Sequence, residues 1–266
     1  MKTSKIILCA MILLGIASAL FAGYVLPYYQ PATEQTYYDI CQRQKDDTLR
    51  ILFIGDSWAA YHHDHDSTLA TLTSQVTAMP CKVQSFGHVG AKSKEIYERL
   101  FADTKPYISE HPDYCVISAG INDAVAKMAP DYYCTNYAHI IRFLLHHDIT
   151  PVVIDMPDVD YRAVFEREAL SSKLRHLFSA FITGVPRYSF HPYRSLLKDT
   201  ISQAGWIDSI VYVKAQRWCN NDGHSRQYRS DGIHLNTQGY LYIDSCLSEE
   251  ICTHHNNRKL LRTIKK

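Results

Sequence analysis

Along the chain, short apolar runs bounded by turn residues alternate with longer stretches whose apolar positions recur at helical spacing. Five runs predict strands: Arg50 to Ile54, Lys82 to Phe86, Tyr114 to Ala119, Pro151 to Met156 and Ser209 to Val213. The helical period predicts helices over Ser67 to Ala78, Lys92 to Phe101, Tyr132 to His147, Arg162 to Thr183, Tyr193 to Ala204 and Thr237 to Cys252. Strand, helix and strand repeated in this way predict an α/β protein with a parallel sheet and helices on both faces. In open sheets of this kind ligands bind beyond the carboxyl ends of the strands. Gly55-Asp56-Ser57, Gly87 to Gly90 and Gly120 to Asp123 all fall at such ends, so three loops converge on one edge.

The amino end breaks this pattern. Lys2 and Lys5 precede an uncharged apolar run from Ile6 to Leu26, long enough to span a bilayer, and turn residues Pro27 to Pro31 follow. Residues 1–26 therefore read as a signal anchor or, cut near Ala17-Ser18-Ala19, as a signal peptide, with the body outside the cytoplasm and the membrane as partner. Residues 27–49 are polar, tyrosine-rich and aperiodic, a linker or an extension packed on the domain. The folded domain spans 50–252, and 253–266 read as a basic, solvated tail.

Composition adds limits. A content of 46% hydrophobic residues over 266 positions supports one sizeable core. With 28 Lys and Arg against 27 Asp and Glu, no overall field attracts nucleic acid. Outside the apolar run lie Cys41, Cys81, Cys115, Cys134, Cys219, Cys246 and Cys252, and the last three are the better place for a bridge in an exported protein. No C-x-x-C pair exists, and neither a metal nor any other cofactor is expected.

The first strand ends in Gly55-Asp56-Ser57-Trp58, which delivers a serine to the sheet edge. A serine hydroxyl becomes a nucleophile when a base takes its proton. Ser230-Asp231-Gly232-Ile233-His234 supplies an aspartate three residues before a histidine, able to fix the imidazole tautomer. The same pair also fits a capping aspartate beside a surface histidine. Asn122 presents an amide suited to an oxyanion, or serves as a turn residue. Gly87 and Gly90 supply positive φ angles, or let a backbone N–H approach substrate.

Taken together, these residues resemble the SGNH, or GDSL-type, hydrolase family, whose four blocks supply Ser, Gly, Asn and His in order. The matching positions are Gly55-Asp56-Ser57, Gly90, Gly120-Ile121-Asn122-Asp123 and Asp231-Gly232-Ile233-His234. The resemblance covers roughly residues 50 to 250 and implies a flavodoxin-like, three-layer α/β/α sandwich. It implies Ser57 as nucleophile, His234 as base and then acid, and Asp231 as the group orienting it. It implies the backbone N–H groups of Ser57 and Gly90 and the Asn122 amide as oxyanion donors. No G-x-S-x-G surrounds Ser57, which argues against a nucleophile-elbow fold. Trp58 and Ser85 depart from the family pattern, and Trp58 is expected beside the substrate.

Tyr61-His62-His63-Asp64-His65-Asp66 reads as a polar loop facing substrate or solvent, without a four-ligand metal spacing. His146-His147 and His254-His255 read as helix-end histidines, and most of the 19 tyrosines as amphipathic core and surface residues. The function expected is an exported or anchored serine esterase acting on acyl, chiefly acetyl, groups of a small molecule or polysaccharide. A polysaccharide O-acetyltransferase using the same triad and a catalytically silent glycan-binding module are the alternatives.

Overall fold

The computed structural model describes residues 2–43, 46–157, 159, 166–185, 189–214 and 224–264. Helix α1, Lys2–Leu20, continues through a π-helical turn at Phe21–Val25 into a short helix ending at Tyr29. One stretch of it, Cys9–Tyr29, is long and apolar enough to cross a membrane, and none of it is buried in the protein.

Five parallel strands follow: β1 Leu49–Gly55, β2 Cys81–Gly87, β3 Tyr114–Ser118, β4 Thr150–Ile154 and β5 Val211–Val213. Their spatial order is β2-β1-β3-β4-β5, a doubly wound α/β sheet of flavodoxin-like order. Central strands β3 and β4 are buried throughout, as continuous apolar runs covered on both faces must be. Edge strand β2 instead alternates between half-buried and exposed positions over its first residues. The order reverses between β1 and β3, and the loops after β1, β2 and β3 open at that reversal.

The helices are α2 Ser57–His62, α3 Asp66–Thr77, α4 Ser93–Arg99, α5 Pro130–His146, α6 Leu170–Thr183, α7 His191–Gln203 and α8 Thr237–Ile264. Helices α3 and α8 pack together, while α5 lies between α4 and α7. Helix α5 begins with Pro130 at a position where no N–H is needed, and buries Tyr133, Tyr137, Ile140, Ile141 and Leu144. Of the helix predicted over Arg162 to Thr183, residues 162–165 lie outside the described ones, and α6 starts only at Leu170. Helix α8 runs twelve residues past Cys252, so Arg258 and Lys259 are exposed but helical. Arg258 reaches Thr150 at 2.9 Å, which ties that end to the start of β4. His254 and His255 thus sit inside a helix, where His254 Nδ1 meets the Tyr114 hydroxyl at 3.1 Å and burial pushes its imidazole down to about 4.

The aperiodic stretch before β1 packs on the domain. Ala32 N–H donates to Asn136 Oδ1 at 2.8 Å, Gln35 N–H to the Tyr97 hydroxyl at 2.8 Å, and Tyr38 to the Leu100 carbonyl at 2.7 Å. Cys219, in the trio where a bridge is expected, lies outside the described residues, and Cys252 carries a free thiol.

Candidate active site

Strand β1 delivers Ser57 through a turn that only its own residues permit. A Cβ on Gly55 would lie 2.1 Å from the Ser118 carbonyl oxygen, so β1 and β3 approach this closely only with glycine there. Asp56 then caps α2: its Oδ1 accepts from the Trp58 N–H at 3.0 Å and from Ser118 Oγ at 2.9 Å. Burial pushes the Asp56 carboxyl up to about 7. Ser57 becomes the first residue of α2, where a backbone N–H has no partner within the helix.

The opposite side is built by the turn before α8. Asp231 Oδ1 accepts the N–H groups of Ile233 and His234, each at 2.9 Å, and Oδ2 lies 2.8 Å from His234 Nδ1. Burial alone would raise the Asp231 carboxyl, but these donors outweigh it and hold it below the usual carboxylate range. An ionised Asp231 accepts the proton on Nδ1, so Nε2 carries the free lone pair. That Nε2 stands 3.0 Å from Ser57 Oγ. Asn236 closes the turn: its Oδ1 accepts the Gly239 N–H at 3.0 Å and caps α8.

Asn122 follows β3, and its Nδ2 donates to the Ala91 carbonyl at 2.9 Å, which employs one of the two amide hydrogens. Next to it, buried Asp123 accepts the Ser93 N–H at 3.0 Å and the Ser93 hydroxyl at 2.6 Å, and burial pushes its carboxyl up to about 6. These bonds tie the loop after β3 to the loop after β2. Gly90, in that second loop, is exposed with φ of 81°, a left-handed conformation that glycine adopts freely. Among the described residues, neither the Ser57 nor the Gly90 N–H has a protein acceptor.

Two expectations require correction. Trp58 is 1% exposed and offers no wall to a substrate. Its indole N–H donates to the Ile233 carbonyl at 3.0 Å, and its own carbonyl accepts from the Tyr240 hydroxyl at 3.0 Å. Trp58 thereby joins the helix that starts at Ser57 to the turn that carries His234 from within the core. His62, expected in a solvated or substrate-facing loop, is fully buried, with Nε2 2.8 Å from Asp244 and Nδ1 3.1 Å from Asp66 and 2.8 Å from Ser85. Desolvation opposes its charge, but the two carboxylates prevail and raise the imidazole above its ordinary value. Tyr61 stood in that same polar tract in the sequence reading without a role of its own, and its ring meets the His234 ring edge-on at 5.1 Å. Its place one turn along from Ser57 was the available signal.

Residues 53–241 match the model of the GDSL-like lipase/acylhydrolase family. The chain belongs to that family, and it is a serine hydrolase acting on ester bonds. No curated protein matches it. Among solved structures it is similar to a lipase/acylhydrolase from Enterococcus faecalis, at 19% identity and TM-score 0.57, over 77% of this chain and 96% of that one. It is also similar to the psychrotrophic esterase EstA from Pseudoalteromonas sp., at 16% identity and TM-score 0.55, over 79% and 100%. A variant of an acetyl-xylooligosaccharide esterase from Geobacillus aligns at 15% identity and TM-score 0.52, over 76% and 94%. At these identities the three likenesses establish the fold.

Proposed function

We propose that this chain is an exported, membrane-anchored serine esterase that removes acyl groups, chiefly acetyl, from a carbohydrate through a Ser57-His234-Asp231 triad. The observation that carries the triad is the hydrogen-bonded line from Ser57 Oγ to His234 Nε2 at 3.0 Å and from Nδ1 to Asp231 Oδ2 at 2.8 Å. Ser57 Oγ attacks the acyl carbon as its proton passes to Nε2, and Asp231 stabilises the imidazolium. The oxyanion is received by the N–H groups of Ser57 and Gly90 and by the second Asn122 amide hydrogen. Collapse breaks the ester C–O bond, and His234 returns the proton to the leaving alcohol. Water then repeats the sequence on the acyl-serine and releases the acid.

The anchor is supported by Cys9–Tyr29 and by the lysines ahead of it. The acetyl and carbohydrate assignment takes its support from the likeness to the Geobacillus esterase. The test is hydrolysis of an acetyl aryl ester by the full chain and by Ser57→Ala, together with labelling by a fluorophosphonate. Wild-type turnover with an unreactive variant is expected, and equal rates overturn the triad. Faster release of acetate from acetylated oligosaccharides than of octanoate from an aryl ester is expected as well. The opposite preference removes the carbohydrate assignment and leaves the triad standing.

A further inference from the structure

Helix α6 presents its two faces in reverse. Leu170, Leu174, Leu177, Phe178 and Phe181 form one stripe along it at three- and four-residue intervals, and all are exposed, from 46% at Phe178 to 84% at Phe181. The face turned to the protein is mainly polar, with only Ala180 and Ile182 half-buried among its apolar residues. His176 and Ser179 are buried there, with His176 Nδ1 3.1 Å from Glu168, and Thr183 Oγ1 donates to the Lys127 carbonyl at 2.8 Å. A helix on a water-exposed surface turns its apolar stripe to the core. Here the polar groups hold the helix down and the stripe faces out.

What covers the stripe is indicated by a second contact on the polar face. Ser179 Oγ lies 2.8 Å from the hydroxyl of Tyr29, the last residue of the membrane-length helix. Lys94 Nζ donates to the Pro27 and Gln30 carbonyls at 3.0 and 3.1 Å, so the domain grips the same end of that helix at a separate point. Helix α6 therefore lies at the level where the apolar span stops. Tyr28, whose ring meets that of Tyr29, is exposed, as aromatic residues are at the headgroup level, and the only charged residues in α6 are Lys173 and Arg175. These signs match an amphipathic helix lying in a bilayer interface.

We propose that the apolar stripe of α6 beds into the bilayer that Cys9–Tyr29 spans, so that the catalytic domain lies docked on the lipid surface and does not swing on a tether. This rests on the reading of the amino-terminal helix as an uncleaved anchor. The bilayer is preferred to a second copy of the chain because the helix that carries the stripe is bonded, through Ser179 and Tyr29, to the end of the segment that enters the membrane.

The experiment reconstitutes the full chain into vesicles of phosphatidylcholine and phosphatidylglycerol, with Phe181→Trp and, separately, Leu174→Trp as reporters at positions already exposed. Flotation with the vesicles reads the anchor, and fluorescence above the wild-type background reads the stripe. An interfacial helix sits about 5–10 Å into the headgroup and acyl boundary. The added emission of both variants is therefore expected to shift to the blue and to be quenched by lipids brominated on the acyl chain. Flotation with unshifted, unquenched emission overturns the docking and leaves the anchor. A blue shift without lipid quenching, growing with protein density, assigns the stripe to a second copy and overturns it too. A full chain that fails to float overturns both readings.

Discussion

Gly87→Ala is a single-methyl test of how Ser57 is held. Gly87 ends β2, and a Cβ there would lie 2.3 Å from the Ala60 nitrogen, 2.5 Å from the Asp56 oxygen and 2.8 Å from the Ala59 carbonyl carbon. All three are backbone atoms of α2 or its cap, so no side-chain rotation relieves the clash. Ordinary contact begins near 3.4 Å. Helix and strand must therefore separate by about 1 Å, a misplacement that costs on the order of 10²-fold in turnover when it reaches reacting groups. The clash also falls on the bond from Ala60 N–H to the Asp56 carbonyl, 3.0 Å long. Overpacking costs about 1–3 kcal/mol. A weakened hydrogen bond adds about 0.5–1.5 kcal/mol, for a total of about 1.5–4.5 kcal/mol. Urea unfolding midpoints and kcat on an aryl acetate measure the two effects. Gly205→Ala, just after α7, is the control, because a Cβ there meets nothing within 4 Å and only the backbone angle, with φ of 69°, is strained. A Gly87→Ala protein with wild-type midpoint and wild-type kcat would refute the account of how Ser57 is placed.

Asp231→Asn should lower kcat about 10⁴-fold while the fold survives, because the amide favours the wrong imidazole tautomer; retained turnover would remove Asp231 from the triad. Trp58→Phe keeps an aromatic ring but leaves the Ile233 carbonyl without the indole donor, costing about 1–3 kcal/mol. Steady-state kinetics should show kcat falling with KM little changed, whereas a raised KM with intact kcat would return Trp58 to the substrate pocket. His62→Gln leaves Asp66 and Asp244 without the cation between them, a loss of about 3–5 kcal/mol. Since folding raises the His62 pKa, that contribution is full below the ordinary value of 6.5 and disappears as pH climbs through the raised one. The gap between the two proteins' unfolding midpoints should therefore narrow from mildly acidic to alkaline pH, and a constant gap would contradict a charged His62.

The strands were legible because β1, β3 and β4 are buried on both faces and so appear as unbroken apolar runs. The serine, glycine, asparagine and histidine positions were legible because each stands at a strand end or before a long helix. What escaped is tertiary. Helix α2 has only six residues and runs straight into a polar tract, so no period marks it, and His62 looks like a solvated residue until Asp244, 182 positions later, comes beside it. Trp58 shows the same limit: a residue adjacent to a nucleophile in sequence points away from it on a helix. Helix α6 has a clear helical stripe, yet the period does not say which face meets the protein.

The bond between Trp58 and the Ile233 carbonyl joins positions 175 residues apart, and Ser57 waits for its base across a similar interval. A chain synthesised from its amino end delivers the serine early and the imidazole almost last. Until the turn before the final helix emerges, the hydroxyl has neither a proton acceptor nor a braced helix beneath it. On the proposed triad, ester cleavage waits for the whole domain: a carboxyl-truncated chain presents the serine as an inert alcohol.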